Sequence, residues 1–191
     1  MTPAPIPPDV QALLDQLTAN GLAAAALERE LAPEQLRWRP DAAAWSIAQC
    51  IDHLAVADRA YLEPLRKGLE EAGGRGWTRR GPIRPNWVEG KFIYSLEPPP
   101  KFRMPAPGKI VPALDQEPAA VWRDFAAVQA ELTALLKASA GLDLNRARFV
   151  NPFLPLVRMR AGSGFRVITA HERRHLWQAQ KLRLRPEFPR S

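Results

Sequence analysis

The stretch FRVITAHERRHLWQAQ, Phe165 to Gln180, places His171 and His175 four residues apart in a chain that has only three histidines. Imidazole is the side chain that can be neutral, nitrogen-donating and metal-ligating near pH 7. On an ideal helix each residue turns about 100°. Ile168, His171, His175, Gln178 and Leu182 then share one stripe, with Arg166, Arg173 and Trp177 on the opposite side. Both rings project the same way, close enough to grip a single ion. The third histidine, His53, lies in WSIAQCIDHL beside the small residues Ala57 and Ala60, which leave room for a cavity at the inner flank of a helix packing.

Other readings compete. A lone histidine on an apolar face is commonly a satisfied core residue, and H-x-x-x-H also occurs on solvent faces. HERRH also has the zincin register, with Glu172 directly after the first histidine. A zincin needs a third ligand, and downstream of His175 only Gln178 and Glu187 are candidates. All three histidines lying on two core helices favours one metal site made of His53, His171 and His175. Three neutral imidazoles leave positions open for water or substrate, as catalytic rather than structural sites do.

Several neighbours carry paired readings. Gln178 is placed to hydrogen-bond a ligand or bound water, or to be satisfied locally. Glu172 and Arg174 flank the ligands and are candidates for substrate contacts or for support of the ligands, against the plainer expectation of solvent-facing ion pairs. Cys50, one turn before His53, reads as an inert core thiol rather than a ligand or nucleophile. Asp52 and Asp58 are placed either to orient a histidine or to decorate the helix surface.

These residues need elements to hold them. A first helix is predicted from about Asp9 to Leu31, its apolar residues at helical spacing. A second starts at Ser46, where Ser46 and Gln49 form an S-x-x-Q capping box and Trp45 supplies a hydrophobic staple. Pro64 is expected to kink or end it. From Ala72 to Glu117 the periodicity dissolves into a Gly- and Pro-rich connection, whose Trp77, Trp87, Phe92, Tyr94 and Phe102 are expected to pack onto the helices. A third helix is predicted over about Pro118 to Ala140, and a fourth from near Gly164 to about Leu184 or Arg185. No convincing alternating strand is visible. Four helices with one long crossover between the second and third imply an all-α bundle of ferritin-like or related type. The length suits one domain over residues 1–191, with residues 1–8 as a flexible Pro-rich arm.

Composition narrows the classes. Hydrophobic residues are 46% and charged residues 25%, enough apolar content to bury a core. No apolar run approaches the roughly 20 residues of a membrane span, and MTPAPIPPDVQ lacks the pattern of a signal peptide. One cysteine excludes an internal disulfide framework. A cytoplasmic protein is expected. The net charge of +7 is spread along the chain, with no zinc finger or P-loop, so a solvated basic surface is expected rather than nucleic-acid binding.

The segments WSIAQCIDHL (Trp45 to Leu54) and AHERRHLWQAQ (Ala170 to Gln180) resemble the two signatures of the DinB-like superfamily, the damage-inducible four-helix proteins. PEQLRWRPDAAAWS and NPFLPLVRM also look like that family's connecting segments. The resemblance implies an up-down-down-up four-helix bundle. It implies a divalent metal, nickel or zinc, held by His53, His171 and His175, and often a homodimer. Members of known activity resemble thiol-dependent S-transferases and isomerases acting on small molecules. A metal-dependent hydrolase and a non-catalytic metal- or ligand-binding stress-response protein are the alternatives.

Overall fold

The computed structural model describes residues 5–101, 110–113 and 116–190. Its described elements are six helices and two strands in the order α1 (Pro8–Glu30), α2 (Pro33–Arg37), α3 (Ile47–Gly74), α4 (Trp87–Leu96), α5 (Pro118–Ala138), β1 (Arg148–Asn151), β2 (Leu154–Arg160) and α6 (Ala161–Arg183). The chain is mostly helical, with one small antiparallel sheet among the described residues. No helix among the described residues is long and apolar enough to cross a membrane.

The four long helices pack as neighbours: α1 against α5 and α6, and α3 against α5 and α6. Side-chain pairs fix their directions. Asn20 meets Glu172 and Glu30 meets Arg183, so α1 and α6 run the same way. Trp122 donates to the Ala24 carbonyl at 2.6 Å, and Gly21 lies beside Gln129, so α5 runs against α1. His53 lies beside His171 and Leu65 beside Gly164, so α3 runs against α6.

Two apolar clusters fill the interior. One gathers Leu13, Leu17, Leu65, Leu132, Leu136, Phe165 and Ile168. The other gathers Leu27, Ile47, Ile51, Leu54, Trp122, Phe125 and Leu176. On α1, α3 and α6, Asn20, Asp58 and Glu172 fall between the stretches that feed the two clusters, and Gln129 of α5 joins them there. A buried polar layer thus divides the core.

Several expectations change. Pro64 sits inside α3 and does not end it. The leucines beyond it, Leu65 and Leu69, are buried in the first cluster, and that burial offsets the lost backbone hydrogen bond. The Ala72–Glu117 connection contains a helix, α4. Asn86 caps it by accepting from the Glu89 N–H, and Glu89 accepts from the Asn86 N–H in return. Buried Glu89 also accepts from Ser163 Oγ and the Arg160 N–H, which ties α4 to the start of α6. Trp77 and Phe92 pack on the core as expected, whereas Trp87 and Tyr94 are exposed. Phe102 and residues 1–4 of the Pro-rich arm lie outside the described residues.

The connection before α6 forms the hairpin β1–β2, which pairs Arg148 with Arg160 and Phe149 with Met159. Asn151 Oδ1 accepts from the N–H groups of Phe153 and Leu154, closing its turn. The hairpin seats on α3 because Gly68 has no side chain: a Cβ there would lie 2.3 Å from the Arg148 carbonyl oxygen.

Candidate metal centre

Ser46 starts α3 as predicted, accepting from the Gln49 N–H while Gln49 accepts from the Ser46 N–H. That cap fixes where α3 begins, and therefore that His53 lies two turns into it, against the middle of α6. His171 and His175 rise from α6 one turn apart. One ligand nitrogen from each ring of His53, His171 and His175 falls within 4.8 Å of the others. The ring centroids are 4.5–5.0 Å apart, and His53 Nε2 stands 3.2 Å from His171 Nε2. The three predicted ligands therefore meet, although they come from helices remote in sequence.

Hydrogen bonds aim the rings. His53 Nδ1 lies 2.7 Å from the Ile110 carbonyl, which can only accept, so Nδ1 carries the proton and Nε2 presents its lone pair inward. His175 Nδ1 lies 3.1 Å from Gln178 Oε1, which does the same for the second ring. Gln178 is thus satisfied by His175, an arrangement that orients that histidine. Trp45 covers the group, its ring 4.8 Å from that of His53 and 5.8 Å from that of His175.

The electrostatics keep the imidazoles neutral. Burial, helped by His53 and Arg174, pushes His171 down to about 3. Burial, with His171, His53 and Arg174 close by, holds His175 well below the usual imidazole range against the opposing pull of the Gln178 hydrogen bond. Burial lowers His53 as well, against the opposing pull of the Ile110 hydrogen bond and the Asp52 carboxylate. A cluster of neutral nitrogen lone pairs is suited to a cation, so the residues present fit a divalent metal.

The remaining sequence candidates are buried. Glu172 is fully buried and turns away from solvent: its Oε2 accepts from Asn20 Nδ2 at 2.7 Å and its Oε1 from the Gln129 amide. Asp58 is 1% exposed and lies against Glu172, and neither of its oxygens meets a hydrogen-bond donor. Burial raises both carboxyl groups, Glu172 to about 7 and Asp58 well above its usual range, with the charge of Glu172 adding to the rise at Asp58. The amide donors favour charge on Glu172, so the proton of the pair belongs on Asp58. Arg174 is also buried rather than solvent-facing, and it donates to the Ser95 carbonyl at 3.1 Å. Cys50 is buried and its thiol is pushed up to about 12 by burial, which makes it inert. Trp45 as a cover, Ile110 as an acceptor and the Asp58–Glu172 pair were not assigned from sequence. Only Trp45 left a signal, its place directly before the cap.

The profile of the DinB superfamily matches residues 16–179, most of the chain, and the protein belongs to that superfamily. No curated protein and no solved structure matches it.

Proposed function

We propose that the chain is a divalent-metal-binding member of the superfamily that works as a metal-dependent S-transferase, with a low-molecular-weight thiol as co-substrate. One observation carries the metal reading: three neutral imidazoles converge, two with Nδ1 tied back so that Nε2 faces the common centre. The helix directions support an up-down-down-up four-helix bundle as the frame, folded as one domain. Nickel or zinc suits imidazole donors that leave coordination positions open. When bound, such an ion acts as a Lewis acid that lowers the pKa of a thiol or water. The chain's own residues then position and shield. Ile110 and Gln178 orient His53 and His175, Trp45 restricts water above them, and Arg174 adds positive charge beside His171 and His175. A small-molecule substrate, a homodimer and no nucleic acid belong to the same reading, which rests for its chemistry on the superfamily.

Elemental analysis of tag-free protein purified without added metal, followed by a thiol-conjugation screen, tests it. The expected result is one nickel or zinc ion per chain and turnover that requires the thiol. Turnover without thiol would favour hydrolysis instead. A metal whose removal only lowers the melting temperature would make the site structural.

A further inference from the structure

Asp52, the residue directly before His53, is 6% exposed and among the described residues makes two hydrogen bonds, both to the connection that leads into α5. Its Oδ2 accepts from the Ala113 N–H at 3.0 Å, and its Oδ1 accepts from Gln116 Nε2 at 3.0 Å. Three residues before Ala113, the Ile110 carbonyl receives the Nδ1–H of His53, and the Ile110 side chain is itself buried. A closed circuit results: His53 to Ile110, along the chain to Ala113, across to Asp52, and back to His53 through one peptide bond. The segment has no helix or strand of its own from Val111 to Ala113. Its position is therefore set by these side-chain bonds rather than by a backbone ladder. A carboxylate accepting from two amide donors is a strong anchor, because both bonds are charge-assisted.

We propose that Asp52 is the positioning residue for His53: it anchors the crossover through Ala113 and Gln116, so that the Ile110 carbonyl holds the Nδ1–H and leaves Nε2 directed at His171. The proposal deepens the metal reading and rests on it for its consequence. It also makes a claim about the metal-free protein, that the anchor selects the tautomer of His53. Without the anchor the Ile110 carbonyl is free to withdraw, Nδ1 and Nε2 become equivalent choices for the proton, and the ring loses its fixed orientation.

The test uses the full chain in two measurements. The first records the tautomer of His53 by nitrogen-15 NMR of the metal-free protein at pH 8. The second is a zinc titration. In the wild type, His53 is expected to carry its proton on Nδ1. Asp52→Ala is expected to mix the tautomers and to weaken zinc binding roughly 10- to 100-fold, with helix content unchanged. Asp52→Asn keeps one acceptor and is expected to restore most of the affinity. Gln116→Leu removes one donor at a partly exposed position, so it reads out the same anchor even if Asp52→Ala fails to fold. It is expected to cost less than Asp52→Ala and to add nothing to it in the double variant. An unchanged tautomer in Asp52→Ala, or in Gln116→Leu where Asp52→Ala does not fold, overturns the proposal, as does zinc affinity within twofold of wild type. If the wild type binds no zinc, the metal reading falls, and the tautomer comparison still decides the role of Asp52.

Discussion

His53 Nε2 and His171 Nε2 lie 3.2 Å apart although 118 residues of chain separate them. Each belongs to a helix marked by its own local spacing, so the sequence carries both ends of the contact but not the contact itself.

Replacing one of the three rings breaks the donor set. His171→Ala is expected to weaken zinc or nickel binding by roughly a hundredfold or more, beyond the 10- to 100-fold typical of supporting residues. Helix content measured by circular dichroism should stay at the wild-type level. Calorimetric titration with zinc checks this, and wild-type affinity in the variant would remove His171 from the site.

Trp45 lies over two of the rings, which makes it a reporter. Nickel binding is expected to quench a distinct part of the tryptophan fluorescence, and Trp45→Phe should abolish that part while leaving the other five tryptophans unaffected. Fluorescence titration of both proteins decides it; equal quenching in the variant would move the ion away from Trp45.

Two groups of titrating residues pull metal-free stability in opposite directions. The folded His171 sits at about 3 against 6.5 for the free side chain, so its contribution is full above 6.5 and is lost as pH falls towards 3. Glu172 is raised from 4.5 to about 7, so its contribution is full below 4.5 and is lost as pH rises through 7, with Asp58 extending that loss. Asp58→Asn is neutral at every pH and can donate to Glu172. Thermal melts of metal-free protein should show it several degrees more stable than wild type at pH 8, with the difference shrinking towards pH 5. A pH-independent difference would contradict the assignment of the proton to Asp58.

The hairpin depends on a missing side chain. Gly68→Ala places a methyl group 2.3 Å from the Arg148 carbonyl oxygen, which is backbone and cannot rotate away. A loss of about 1–3 kcal/mol is expected in urea unfolding. Hydrogen exchange should accelerate in Arg148–Asn151 and Leu154–Arg160 before it does elsewhere.

The long helices were legible because their apolar spacing and caps agree. Ser46 and Gln49 marked the start of α3, and Pro118 stands at the first position of α5 as expected. The histidine pair was legible for the same reason, since a four-residue spacing on an apolar stripe has one geometric meaning. The α4 helix was hidden by its surroundings: it follows Pro82 and Pro85, and its capping pair of Asn86 and Glu89 went unread. The hairpin gave no alternation because five of the seven residues of β2 are exposed in succession. Asp58 and Glu172 resisted sequence reading for a different cause. Carboxylates on helices ordinarily face water, and only the meeting of four helices reveals that these two do not.

That meeting has a consequence for how the helices choose their alignment. Leucine faces tolerate slippage, because one apolar contact resembles the next a turn away. Asn20, Asp58, Gln129 and Glu172 do not, since a one-turn shift of α1, α5 or α6 would part Glu172 from an amide that donates to it, and a shift of α3 would part Asp58 from Glu172. The layer therefore acts as a key that fits one arrangement. An all-leucine replacement of the four would be expected to hold together at least as tightly while permitting several alignments, only one of which brings His53 to face His171.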